Sequence, residues 1–256
     1  MLKPAVVLSE SPSSAADAAA VRVADVLRRA IDRRGHAAIA LSGGKTPRET
    51  YARLAQPPHV HAVAWGQVEV FWGDERCVPP DHAQSNYRMA LEAWLFDAPI
   101  PKRNIHRMRG EADPKAAARE YEETLRVALQ VPARETPRLD LVLLGIGLDG
   151  HTASLFPGSP ALTEDNRLVV ATFVQKVNGW RLTATPRLLN AARHVIFLVT
   201  GAEKAAIVRE VLRGPVAPER LPAQIVQPGD GRVEWLLDRD AGKLLSNAEC
   251  GMRDAE

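Results

Sequence analysis

The 256-residue chain predicts a single-domain α/β protein, with three α/β/α layers around a mainly parallel central sheet. Three observations predict it. Short β-rich runs alternate with helical patterns, the order that a sheet wound with helices on both faces requires. Two of the runs, LDLVLLG (139–145) and HVIFLVT (194–200), are apolar on both faces, as strands covered from both sides must be. No linker, repeat or low-complexity segment divides the chain, so one domain spans residues 1–256, with a core over about 6–245 and a flexible tail over 246–256.

Each element has a local reason. AVVL (5–8) is a β-rich run, followed by an amphipathic helix over about 13–34 that Gly35 ends. AAIAL (37–41) leads through SGGKTP into a helix from Pro47, with Thr46 as N-cap, Pro47 at the first helical position and Glu49 completing a capping box. VEVFWG (68–73) precedes a polar loop and a helix from about Ser85. Asp113 and Pro114 form an N-cap and first-turn pair for a helix reaching Gln130. LVVATFV (168–174) and HVIFLVT are further strands, a helix starts at Glu203, and late strands are expected near 224–226 and 233–237. The stretches 57–65 and 213–228 are excursions from this frame.

Composition excludes several function classes. The chain has 33 basic and 31 acidic side chains, a formal charge of +2, and no basic run interleaved with aromatics, so nucleic acid is not an expected partner. No apolar stretch approaches the roughly 18 residues of a membrane span, and residues 1–20 lack the apolar core of a secretory signal. Cys77 and Cys250 fit neither a disulfide framework nor a zinc spacing. The expectation is a cytoplasmic monomer that acts on a small molecule without metal or cofactor.

In doubly wound sheets ligands gather where the strands end. After AAIAL, the Gly-Lys-Thr of SGGKTP suggests a Walker A loop, but that motif needs glycine where Ile39 stands. Ser42, Gly43 and Gly44 still leave free amides beside a helix N-terminus, which favours phosphate, and Lys45 adds a charge. After VEVFWG, the DER triplet reads either as a solvated loop with a local salt bridge or as a functional one, with Arg76 facing a substrate anion and Asp74 orienting other groups. After LDLVLLG, GIGLDG is a literal GxGxxG. A dinucleotide loop, however, needs a helix opening at the last glycine and an acid about 20 residues on at a strand end. Pro157, Gly158 and Pro160 stop such a helix, and Glu164 and Asp165 precede the next strand instead. His151 has Asp149 nearby but no further His or Cys in register, so the three ligands of a catalytic zinc are missing. A histidine in a glycine turn at a strand end fits a catalytic base better than a packed core imidazole. Arg181 and Lys204 lie near the ends of two other strands and complete a set of cations for a dianion.

In order along the chain, SGGKTP, WGDERCVPPDHAQSNYRMA, LDLVLLGIGLDGHTASLFPGS, WRLTATPRLLNAA and GAEKA closely resemble the 6-phosphogluconolactonase family, over about residues 6–245. The resemblance implies a Rossmann-like fold shared with glucosamine-6-phosphate deaminases and ribose-5-phosphate isomerases. It implies hydrolysis of 6-phospho-D-glucono-1,5-lactone without metal or cofactor. By the same resemblance His151 is the general base and Arg76 and Arg181 line the substrate site. The SGGKTP loop, residues Ser42, Gly43, Gly44, Lys45 and Thr46, matches sugar-phosphate-binding elements together with Lys204. Glycine-turn amides such as that of Gly147, or an arginine, would hold the oxyanion. Asp149 either fixes the imidazole tautomer or binds a sugar hydroxyl. The rival deaminase segment reads DGHIAFNEPGS, with a glutamate where this chain has Phe156. A non-catalytic sugar-phosphate sensor on the same fold is the remaining alternative.

Overall fold

The apolar runs align side by side in the computed structural model, which describes residues 4–245 and 253–254. The central strands are β1 (Ala5–Ser9), β2 (Ala37–Leu41), β3 (Val68–Trp72), β5 (Leu141–Leu144), β8 (His194–Val199), β9 (Arg232–Asp238) and the two-residue β10 (Arg253–Asp254). Their order is β10-β1-β9-β8-β5-β2-β3, and every neighbouring pair is parallel. The rest of the tail expected over 246–256 lies outside the described residues.

Alternation along each strand sorts the core into two halves. Ala38, Ala40, Val142, Leu144, Val195 and Phe197 face one cluster. Ile39, Leu41, Leu141, Leu143, Ile196 and Leu198 face the other. This is the period-two signature of a sheet buried on both sides. Helix α1 (Pro12–Arg34) covers the second face with Ala19, Ala20, Val23 and Leu27, aided by Tyr51 and Leu54 of α2 (Lys45–Leu54). Helices α5 (Pro114–Ala128) and α7 (Ala205–Arg213) cover the first. Among the described residues there are also the short helices α3 (His59–Ala62), α4 (Asn86–Ala90), α6 (Pro186–Asn190) and α8 (Arg239–Gly242), and a π-turn over Leu91–Leu95. Among the described residues no helix is long and apolar enough to cross a membrane.

The predicted boundaries of α1 and α5 agree closely with the structure. Ser11 accepts from Ser14 N–H to start α1, Gly35 ends it at φ 77°, and Asp113 caps α5 through Ala116 N–H. Three expectations are corrected. First, LVVATFV does not join the central sheet. It forms β6 (Val169–Val174), which pairs antiparallel with β7 (Gly179–Ala184), and β7 pairs with β4 (Asp74–Arg76) in a separate three-stranded sheet. Only Gln175–Asn178 separate β6 from β7, too few for a parallel crossover, and Asn178 takes the left-handed turn at φ 43°. Second, α2 opens at Lys45 with Gly44 as N-cap, so the Thr46–Glu49 capping box does not form. Gly44 sits at φ 114°, which starts the helix earlier, and Pro47 is accommodated in the first turn, where amides need no helical partner. Third, the strand expected at 224–226 is part of a 3₁₀ turn, Pro222–Ile225. The Gln224 side chain there ties the backbone of Val211, Pro215 and Ala217 together.

The chain leaves β2 toward β3 on one side and leaves β5 toward β8 on the other. β2 and β5 are neighbours, so their carboxyl ends flank the switch point where ligands bind in sheets of this kind. The opposite ends of these strands are pinned by buried Asp140. It accepts from Ala38 N–H at 2.9 Å and pairs with Arg34 and with Arg193 Nε at 3.2 Å.

Candidate active site

The glycines after β5 allow a tight, self-bonded loop. Gly147 N–H donates to the His151 carbonyl at 2.8 Å, and Gly150 N–H donates to the Gly147 carbonyl at 3.0 Å. Gly150 adopts φ 79°, a region open to glycine at little cost. A Cβ at Gly147 would lie 2.0 Å from His151 Nδ1 and 2.7 Å from Asp149 Oδ1. Only a residue without a side chain lets the imidazole and the carboxylate fold back over this backbone. The loop is anchored outside by Thr152 Oγ1, which donates to the Gly145 carbonyl, and by Ala223 N–H, which donates to that of Gly150.

His151 is held on three sides. Its Nδ1 lies 2.5 Å from Asp149 Oδ1, and its ring stacks on Phe156 with centroids 4.1 Å apart. The other Asp149 oxygen, Oδ2, accepts from Lys176 Nζ at 2.6 Å. Burial works to raise the Asp149 carboxyl, but the hydrogen bonds from Lys176 and His151 outweigh it and hold the carboxyl well below the usual range. An ionised carboxylate can only accept, so Nδ1 carries the proton, and in the neutral ring Nε2 keeps its lone pair.

Arg76 and Arg181 face each other directly across β4 and β7. Like charges so placed destabilise a sheet unless an anion joins them. Burial, and then the facing charge of Arg76, pulls the Arg181 guanidinium below its usual range. Arg76 donates to the Gln84 carbonyl and Arg181 to that of Trp180. Among the described residues neither guanidinium forms an ion pair with a carboxylate.

Asp74 and Glu75 frame this pair. Buried Asp74 accepts from Ser154 Oγ at 2.7 Å and Asn86 Nδ2 at 3.3 Å, which ties β4 to the His151 loop. Glu75, 2 % exposed, caps α4 by accepting from Asn86 N–H, Tyr87 N–H and Ser85 Oγ. Burial raises its carboxyl against those amides.

The β2 loop lies beside the β8 loop. Ser42 binds the Tyr51 hydroxyl through its own N–H and carbonyl, while its buried Oγ has no partner. Gly43 is required by Asn86, whose Oδ1 would lie 2.0 Å from a Cβ there. Thr46 Oγ1 meets Thr200 Oγ1 at 2.7 Å, and Lys204 Nζ donates to the Ile146 carbonyl at 2.9 Å. Lys45 is exposed at the start of α2.

The structure thus gathers Ser42, Gly43, Gly44, Lys45, Thr46, Gly147, Asp149, His151 and Lys204 on the loops after β2, β5 and β8. Asp74, Arg76 and Arg181 approach from the second sheet, so Arg181 stands within β7 of an antiparallel hairpin and not, as expected, near a strand end. Sequence reasoning missed Lys176, Ser154, Asn86 and Glu75 as parts of the site. Lys176 and Asp149 lie 27 positions apart, which leaves no local pattern to read. Among the described residues no group of three or more His, Cys, Asp or Glu is gathered to hold a metal ion.

Comparison with known proteins places the chain in a family. Residues 10–235 match the family described as glucosamine-6-phosphate isomerases/6-phosphogluconolactonase. A 6-phosphogluconolactonase of Synechocystis is 47 % identical over 228 residues, covering 89 % of this chain and 92 % of the relative. One of Nostoc is 42 % identical over 221 residues, covering 86 % and 89 %. The solved 6-phosphogluconolactonase of Trypanosoma cruzi superimposes with a TM-score of 0.84 at 32 % identity, covering 95 % of this chain and 97 % of that one. With a family match over residues 10–235 and near-complete coverage in both directions, the chain belongs to the glucosamine-6-phosphate isomerase/6-phosphogluconolactonase family, among its 6-phosphogluconolactonases.

Proposed function

We propose that this protein hydrolyses 6-phospho-D-glucono-1,5-lactone to 6-phosphogluconate in the oxidative pentose phosphate pathway, with His151 as general base. The observation that carries the reading is the Nδ1 contact with Asp149, which leaves Nε2 as the ring's free acceptor. Nε2 takes a proton from water as the water oxygen attacks C1 of the lactone. Negative charge then develops on the former carbonyl oxygen, where an arginine, or turn amides other than those of Gly147 and Gly150, which already donate within the loop, stabilise it. As the tetrahedral intermediate collapses, the bond from C1 to the ring oxygen breaks, and the imidazolium returns its proton to that oxygen. Water is consumed, one acid and one hydroxyl are formed, and the base is regenerated.

The facing pair Arg76 and Arg181, with the Ser42–Thr46 loop and Lys204, supports recognition of an anionic sugar. Phe156 favours hydrolysis over deamination. An apolar ring against the imidazole offers no second proton carrier, and ring opening with isomerisation needs several proton transfers. The near balance of 33 basic and 31 acidic residues supports a small-molecule substrate and no nucleic acid. We extend the reading to a cytoplasmic monomer.

Turnover of freshly generated lactone, followed by acid release, tests the reading. The phosphorylated lactone is expected to exceed glucono-1,5-lactone by about 10- to 100-fold or more in kcat/KM, the effect of one or more charge-assisted contacts. Equal values for the two would reduce the SGGKTP loop to a plain turn. EDTA is expected to leave the rate unchanged. Loss of activity in chelator with recovery on adding a divalent metal would refute a metal-free mechanism.

A further inference from the structure

Lys176 stands outside every recognised motif of the site, on the tip of the hairpin between β6 and β7, in the 3₁₀ turn Gln175–Val177. Its ammonium nevertheless reaches the one carboxylate that touches the base. We propose that Lys176 is a positioning residue for the reaction, holding Asp149 so that its other oxygen keeps the His151 imidazole aligned. This inference rests on the reading of His151 as the base.

The argument is one of divided labour on a single carboxylate. Asp149 Oδ2 is occupied by Lys176 Nζ at 2.6 Å, and Oδ1 faces His151 Nδ1 at 2.5 Å. Asp149 lies between Gly147 and Gly150, in a loop whose hydrogen bonds fix the backbone but leave the carboxylate its own side-chain torsions. A carboxylate there can rotate and exchange its partner for water unless both oxygens are engaged. Lys176 supplies the second engagement from a different sheet, so the carboxylate plane is fixed from two sides. The side-chain exposures separate this from a fold-stabilising contact. Lys176 is 64 % exposed and Asp149 only 22 %. An ion pair with one partner so exposed contributes little to stability, so its loss acts on the geometry of the base and leaves the fold standing. The other charges around the loop are engaged elsewhere. Lys204 donates to the Ile146 carbonyl, and Asp74 accepts from Ser154 and Asn86. Arg76 and Arg181 donate to backbone carbonyls of Gln84 and Trp180.

Steady-state kinetics on Lys176→Met, Lys176→Arg, Asp149→Asn, the Asp149→Asn/Lys176→Met double variant and His151→Asn decide the matter, each variant checked by thermal melting. Lys176→Met is expected to lower kcat by about 10-fold with KM for the phosphorylated lactone within about twofold, the pattern of a group acting through the base. Lys176→Arg is expected to restore most of kcat, since it returns a cation to Oδ2. The double variant is expected to be no slower than Asp149→Asn alone, because coupled residues are not additive. Wild-type kcat in Lys176→Met, or losses that multiply in the double variant, would overturn the inference. So would a raised KM with unchanged kcat, which would make Lys176 a substrate contact. If His151→Asn is inactive while Lys176→Met is unaffected, only this inference fails. If His151→Asn is fully active, the assignment of the base fails first.

Discussion

His151→Asn is expected to lower kcat for the phosphorylated lactone by about 10²–10⁴-fold, the range that a positioned general base contributes. Binding of 6-phosphogluconate, measured by calorimetry, is expected to stay close to that of the native protein, because the cations that face an anion stand on other loops and on the second sheet. Asparagine suits the test. It keeps a polar group near the Asp149 carboxylate and avoids the larger void that alanine would leave beside Phe156, yet it cannot take a proton at neutral pH. Melting temperature serves as the control for folding. A folded His151→Asn protein with native kcat would remove the imidazole from the mechanism.

Arg76→Ala and Arg181→Ala come next in size. Each is expected to reduce kcat/KM by about 10- to 100-fold, the effect of one charge-assisted contact, and each to exceed Lys204→Ala. A planar guanidinium can span two oxygens of a phosphate or carboxylate, whereas an ammonium acts as a single movable charge. The structure adds a second reason. All three cations donate to backbone carbonyls, but of these three the two arginines also oppose each other across β4 and β7. An incoming anion relieves that opposition, so binding gains from both the contact and the relief. An arginine that holds the phosphate will show its loss in KM, and one that faces C1 will show it in kcat. Two variants with native kcat/KM would dismiss this pair from the site. Circular dichroism distinguishes such an effect from unfolding, a control that Arg76 needs because it also braces the Gln84 carbonyl.

How much of this was legible in the sequence depended on how local the cause was. LDLVLLG and HVIFLVT read as buried strands because unbroken apolar stretches, LVLL and VIFLV, fill both of their faces, and both are central. His151 and Asp149 are two residues apart, so a glycine turn suffices to bring them together. The LVVATFV run was legible as a strand but not as a member of the second sheet, since alternation states that a segment is extended and not which edge it joins. The brevity of the Gln175–Asn178 turn was the available signal for the antiparallel hairpin. The capping box at Thr46 failed because a glycine at positive φ one step earlier overrode a sound local motif. Lys176, Ser154 and Asn86 depend on contacts between distant segments, such as the one from Ser154 to Asp74 across 80 positions. No pattern within a window of residues contains that information.

The chain runs from β3 through Gly73 straight into β4, so the two sheets meet along one covalent seam and the site straddles it. The imidazole belongs to the parallel sheet. Arg76, Arg181 and Lys176 belong to the antiparallel one. Under the proposed function the base is housed on one sheet while the anion is met from both, by the Ser42–Thr46 loop and Lys204 on the parallel side and by Arg76 and Arg181 on the other. Substitutions at Arg76 and Arg181, away from the Lys176 tip, can retune which acidic group a sugar must carry while the glycine loop that holds the base stays unaltered. A fold divided in this way is readily evolvable, because a new substrate can be acquired on one side of the seam without relearning the chemistry on the other.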